Sequence, residues 1–144
     1  MTTTPRTRGH HVMLVRQWDQ QVGGSGCCGR LTSTAAETLC RTGEDPYAAA
    51  RADMVVMGEV YRALRERFDD DVLEITVVDP RNTTWLLPSV WRQARAGGLS
   101  VREALRQVNR ATSPCAVVVD GRVVATDPAS PQQAVAAVLA ELAR

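Results

Sequence analysis

The dipeptide Asp120-Gly121 separates two strand-like runs, Cys115-Ala116-Val117-Val118-Val119 and Arg122-Val123-Val124-Ala125. Such a dipeptide between β-rich runs is a strong hairpin signal. The flanking runs are therefore predicted to pair antiparallel. Upstream, His11-Val12-Met13-Leu14-Val15, ending near Trp18, reads as a first strand. The β-branched run from Val72 to Val78, stopped by Asp79-Pro80, reads as a second, buried strand. Between them lies the longest helical pattern, Tyr47 to Phe68. Met57, Val60, Tyr61, Leu64 and Phe68 recur there at three- and four-residue steps, on one face. Two strands joined through a helix are expected to be parallel. One parallel and one antiparallel pairing make the sheet mixed, and its apolar faces need helices to cover them.

Further helices follow from local signals. One is expected to open near Pro88, a residue suited to a first helical turn, and to close at Gly97-Gly98. Ser100-Val101-Arg102-Glu103 is a capping box with Leu99 placed as a hydrophobic staple, starting a helix to about Arg110. Ser130-Pro131-Gln132-Gln133 combines an N-cap, a first-turn proline and a capping glutamine at the head of a final helix. Thr34 to Arg41 suits a short helix that Gly43-Glu44-Asp45-Pro46 would interrupt. No repeat or linker divides the chain, so residues 1–10 are expected to be a disordered N-terminus and 11–144 a single domain. At 144 residues such a domain builds a core without disulfide staples.

A formal net charge of +1 leaves no basic face for nucleic acid and no acidic tail for a basic partner. Every one of the 17 basic residues is arginine, a bias matched by the many alanines. Met1 to His10 is polar and carries no secretory pattern, and no apolar run approaches membrane-spanning length. A soluble cytoplasmic protein without nucleic-acid or membrane partners is the expectation. Its four cysteines would then start reduced, which points to metal or redox chemistry before a disulfide framework.

Two of those cysteines are adjacent, in Gly23-Gly24-Ser25-Gly26-Cys27-Cys28-Gly29-Arg30, directly after the first strand. Glycines on both sides let the chain turn and leave the sulfurs uncrowded. Cysteine is at once a nucleophile, a redox couple and a soft-metal ligand. Arg30 and a following helix N-terminus would both stabilise negative charge on Cys27 or Cys28. Cys40, in an apolar helical patch, and Cys115, beside a valine-rich strand, each read as either a packing residue or a third sulfur. His10 and His11 read as solvated residues beside a loose terminus. Trp18, Trp85 and Trp91 read first as core, with Trp18 able to pack over the cysteine loop and Trp85-Leu86-Leu87 an alternative docking surface. Asp79 and Asp127, each before a proline, read as turn residues at strand ends.

The element order, with Thr112-Ser113-Pro114 just before the hairpin and Cys27-Cys28 just after the first strand, resembles the thioredoxin-like fold. The resemblance covers about Val12 to Leu142 and implies an α/β domain, thioredoxin-like, with a central mixed four-stranded sheet flanked by helices. It implies that Pro114 is a cis-proline bordering the substrate site and that Cys115 begins the third strand beside the cysteine loop. Cys27 and Cys28 would be the catalytic thiols, with Pro114, Arg30 and Trp18 lining the substrate site, and the partner a protein or small-thiol disulfide. No Cys-x-x-Cys is present. The vicinal cysteines are also similar to those of arsenic metallochaperones, and the Cys28 to Cys40 spacing to that of thioredoxin-like two-iron two-sulfur ferredoxins. On those resemblances Cys27, Cys28, Cys40 and Cys115 become ligands for zinc, arsenite, copper(I) or an iron–sulfur cluster. A third reading is an interaction module that keeps the fold without the chemistry.

Overall fold

Strand β1 (His10–Val15) is central because its sequence is apolar on both faces: Val12, Met13, Leu14 and Val15 are all fully buried. The structure, a computed structural model, describes residues 9–17 and 48–144. The chain continues with α1 (Ala48–Arg67), β2 (Leu73–Val78), α2 (Thr83–Ala96), α3 (Val101–Ala111), β3 (Val117–Val119), β4 (Arg122–Ala125) and α4 (Pro131–Leu142). The sheet order is β2-β1-β3-β4. β1 runs parallel to β2, in register from His10 opposite Leu73 to Val15 opposite Val78, and antiparallel to β3. β3 and β4 pair antiparallel, so the mixed sheet, the parallel β1–β2 pair and the antiparallel hairpin agree with the sequence reading.

Side-chain alternation along β1 divides the core in two. Val12 and Leu14 face α1 and α4, packing with Met57, Val60, Leu64, Val135 and Val138. Met13 and Val15 face the opposite helical layer, packing with Leu86 and Val90 of α2 and Ala111 of α3. The periodic face read in α1 is the one that is buried, with Tyr61 and Phe68 at its margin. β2 lies at a sheet edge, and only its end residues Leu73 and Val78 are buried, where a wholly buried strand was expected.

The hairpin turn forms as expected, with φ of 48° at Asp120 and 81° at Gly121. Gly121 is required twice over: a Cβ there would also lie 2.3 Å from the Ala94 backbone nitrogen of α2. The turn is thus seated directly on the α2 backbone. At the other rim of the hairpin, the buried Gln107 side chain of α3 accepts from the Val123 N–H at 2.8 Å. That amide fills a β4 donor facing away from β3.

Helix starts follow the caps. Ser100 Oγ accepts from Glu103 N at 3.2 Å, and Leu99 packs on Ala104, so the staple is in place. The Glu103 carboxylate turns to Arg106 and Gln107, so the reciprocal half of the box is not made. Ser130 Oγ accepts from Gln133 N at 3.3 Å, and Gln133 Oε1 accepts from Ala129 N at 2.8 Å. α2 corrects one expectation: it opens at Thr83 after Asn82, and Pro88 lies inside it. Pro88 is exposed, so the carbonyl one turn back that loses a donor is on the outer side of the helix. The stronger start signal is the Asp79 turn, where Asn82 N bonds to Asp79 O at 2.9 Å.

The first described residues also differ from expectation. His10 belongs to β1, and its N–H bonds to Val72 O at 2.9 Å. The bend bearing Pro114 contains no cis bond, since every peptide among the described residues is trans. Ser113 N bonds to Arg110 O at 3.1 Å, continuing the helical winding of α3, and Asp127 N bonds to Pro114 O at 3.1 Å. Cys115 then takes φ of 47°, and that left-handed residue redirects the chain into β3 without a cis bond. β3 accordingly begins at Val117, not at Cys115.

Candidate functional site

Polar side chains gather against the sheet at both ends of β1. At its carboxyl end, Val15 N bonds to Ala116 O at 2.8 Å and Arg16 N to Val78 O at 3.0 Å. This places Arg16 between the ends of β2 and β3, with Cys115 next in sequence to Ala116. Cys115 is a free cysteine and buried. Burial pushes its thiol up to about 12, assisted by the negative charge of Asp53, a hydrogen bond to that carboxylate, and Asp127; Arg16 pulls the other way. A thiol in this state is a proton donor to Asp53. It is neither the nucleophilic nor the metal-binding form, both of which need thiolate.

Beside it, Asp79 caps the turn out of β2. Its Oδ1 accepts from Arg81 N at 2.8 Å and Nε at 2.9 Å, and its Oδ2 accepts from a terminal Arg81 nitrogen at 2.8 Å. Asp79 is buried and the bidentate fork raises the Arg81 pKa. The turn role read for Asp79 is its role here. Pro114 is exposed in the bend before β3. Cys27, Cys28, Cys40, Arg30 and Trp18 lie outside the described residues, as does the short helix expected at Thr34 to Arg41. Cys115 and Pro114 are therefore the sequence-derived site residues whose surroundings are described. Trp85, read first as core, is 40% exposed at the first turn of α2, whereas Trp91 is partly buried against Ala94, Leu99 and Ala104.

The amino end of β1 holds a second polar cluster, on residues that sequence reasoning set aside. His10 Nδ1 lies 2.7 Å from Asp120 Oδ2, and Asp120 Oδ1 accepts from His11 N at 2.9 Å. Asp120 N in turn donates to His11 O at 2.9 Å. The carboxylate therefore anchors two consecutive β1 residues to the hairpin turn. On the opposite face of the strand, Gln93 Nε2 reaches His11 Nδ1 at 2.5 Å, and His11 Nε2 reaches Thr76 Oγ1 at 2.8 Å. With the amide donating to Nδ1, the ring proton sits on Nε2 and is donated to Thr76. Gln93 Oε1 is buried without a hydrogen-bond partner. The sequence signal was available: a histidine pair at the start of a central strand lies across from the Asp-Gly turn once β1 pairs with β3.

A cleft of about 540 Å³ opens at this end, lined by His10, His11, Arg92, Gln93, Gly97 and Asp120 among others. Among the described residues, no group of three or more His, Cys, Asp or Glu could hold a metal ion. None of the described helices is long and apolar enough to cross a membrane. Compared with known proteins, the chain matches no protein family, no curated protein and no solved structure.

Proposed function

We propose that the chain is a thiol redox protein of thioredoxin-like topology whose working groups are Cys27 and Cys28. The observation that carries this reading is the strand order β2-β1-β3-β4, with β1 parallel to β2 and antiparallel to β3. In open α/β sheets, ligands bind beyond the carboxyl ends of the parallel strands, where the connections diverge. The segment bearing Cys27 and Cys28 leaves from that end of β1, ten residues beyond Gln17. Arg16 sits at the same end, a positive charge that opposes, without reversing, the rise in the Cys115 pKa.

The chemistry is disulfide exchange. A thiolate of the pair attacks one sulfur of a protein or small-molecule disulfide, that S–S bond breaks, and the released thiolate takes up a proton. A second thiol then loses its proton and attacks the mixed disulfide. The substrate leaves as two thiols and the protein as an internal disulfide, so two electrons pass to the substrate. That second thiol is the other member of the pair, or Cys40, or Cys115, the last slowed by the burial that raises its pKa. The peptide before Pro114 is trans, so any contact of that residue with substrate is not the cis-proline contact that the resemblance implies. In a soft-metal set the donors would be Cys27, Cys28, Cys40 and Cys115, with the metal displacing the Cys115 proton.

The test is protein purified without oxygen, assayed for disulfide reduction alongside Cys27→Ser, Cys28→Ser and the double variant. The expected result is colourless, metal-free protein with a fast-reacting thiol, and loss of reduction in the double variant. Visible absorption or stoichiometric zinc, copper or iron would replace exchange by metal binding. Activity unchanged in the double variant would leave an interaction module.

A further inference from the structure

We propose that the cleft at the amino end of β1 binds a small oxyanion, a phosphate or a carboxylate, between Arg92 and His10. This site is independent of the thiol chemistry and lies at the other end of the sheet. Its volume, about 540 Å³, is that of a small-molecule site. Arg92 lines it, is exposed, and makes no ion pair with any described residue. A guanidinium offers a planar fork of donors matched to phosphate or carboxylate oxygens.

His10 supplies the second contact. Asp120 engages its Nδ1 at 2.7 Å, which fixes the ring and leaves Nε2 as the nitrogen without a described partner. In the imidazolium form, Nε2–H is a charged donor. Asp120 does not oppose an anion with a bare carboxylate, because its oxygens already accept from His11 N and face His10 Nδ1. The carboxyl terminus of α2 also borders the cleft, and a helix end of that polarity disfavours anions. Its last carbonyls are largely occupied, however: Gln93 O, Ala94 O and Arg95 O accept from Gly97, Leu99 and Gly98 respectively. A helix-end dipole fades within one turn and is weaker than a charge-assisted hydrogen bond from arginine, so Arg92 decides the sign.

Gly121 seats the turn on the α2 backbone, and a Cβ on Gly9 would lie 2.8 Å from Asp71 O, so both flanks of His10 are in close backbone contact. The sequence has two histidines, His10 and His11, so both ring signals are assigned with two single variants.

The experiment follows the histidine ring proton resonances during titration with inorganic phosphate, and separately with acetate. Ionic strength is held constant with chloride. The expected result is a saturable shift of the His10 ring with one or both anions; which of them acts names the ligand class. Arg92→Gln should weaken the apparent affinity at least tenfold while leaving the unfolding midpoint unchanged. Asp120→Asn should weaken it too, through a less restrained His10. A response to neither anion at millimolar concentration overturns the proposal. An undiminished response in folded Arg92→Gln overturns it equally.

Discussion

At the carboxyl end of β1, a buried thiol faces a partly buried carboxylate, Asp53, and an exposed one, Asp127; at the amino end, two imidazoles, a carboxylate and a guanidinium gather around an open cleft. The ingredients overlap, since each end pairs a titratable side chain with an aspartate. Solvent makes the difference. Burial forces Cys115 to keep its proton, and Asp53 and Asp127 reinforce that, so the only described thiol is chemically quiet. His10 and Asp120 are each nearly half exposed and keep ligand-accessible polar atoms. A cysteine is thus no mark of a reactive centre without its surroundings, and a solvent-exposed histidine can still be held by a partner across the sheet.

The sharpest way to break this contrast is to measure Cys115 directly, in protein carrying Cys27→Ser, Cys28→Ser and Cys40→Ser. A pKa near 12 in place of an ordinary thiol value leaves roughly a thousandfold less thiolate near pH 8.5. Iodoacetamide should therefore modify Cys115 about that much more slowly in folded than in urea-unfolded protein. Equal rates would mean that the enclosure does not hold. A pH consequence follows, because the unfolded chain loses this proton first, near pH 9, and the folded chain near 12. The stability that Cys115 contributes is complete below about 9 and disappears as pH climbs toward 12. Urea midpoints should fall less steeply over that range in Cys115→Ala.

The amino end is tested by Gly121→Ala. A methyl there meets the α2 backbone and sits on a left-handed residue, which should cost roughly 2–5 kcal/mol in urea denaturation. A neutral outcome would show that the turn is not seated on α2. Thr76→Val should cost less, about 0.5–1.5 kcal/mol, by removing the partner of His11 Nε2. Asp120→Asn keeps a side chain that tolerates positive φ and loses only the charge opposite His10. It should cost about 1 kcal/mol or less by thermal unfolding, the smallest effect in the set.

What was legible in the sequence depended on whether the signal was local. Asp120-Gly121, Ser100 with Leu99, and Ser130-Pro131 each carry their geometry within four residues, and each forms where expected. The face of α1 was legible because burial repeats along it. Pro88 misled because proline permits a helix start without requiring one, and the Asp79–Asn82 turn fixes α2 earlier. The bend at Pro114 misled for a related reason: a proline before a strand is compatible with either isomer, and the positive φ of Cys115 makes the reversal instead. His10 with Asp120 is a contact across 110 positions that exists only once β1 has paired with β3. No local pattern announces it.

The Gln107 amide that fills the outward N–H of Val123 has a bearing on how copies of this protein meet. Any strand arriving alongside β4 would have to evict a buried side chain before gaining its first backbone bond. That rim of the sheet is consequently a poor seed for zippering one molecule onto the next.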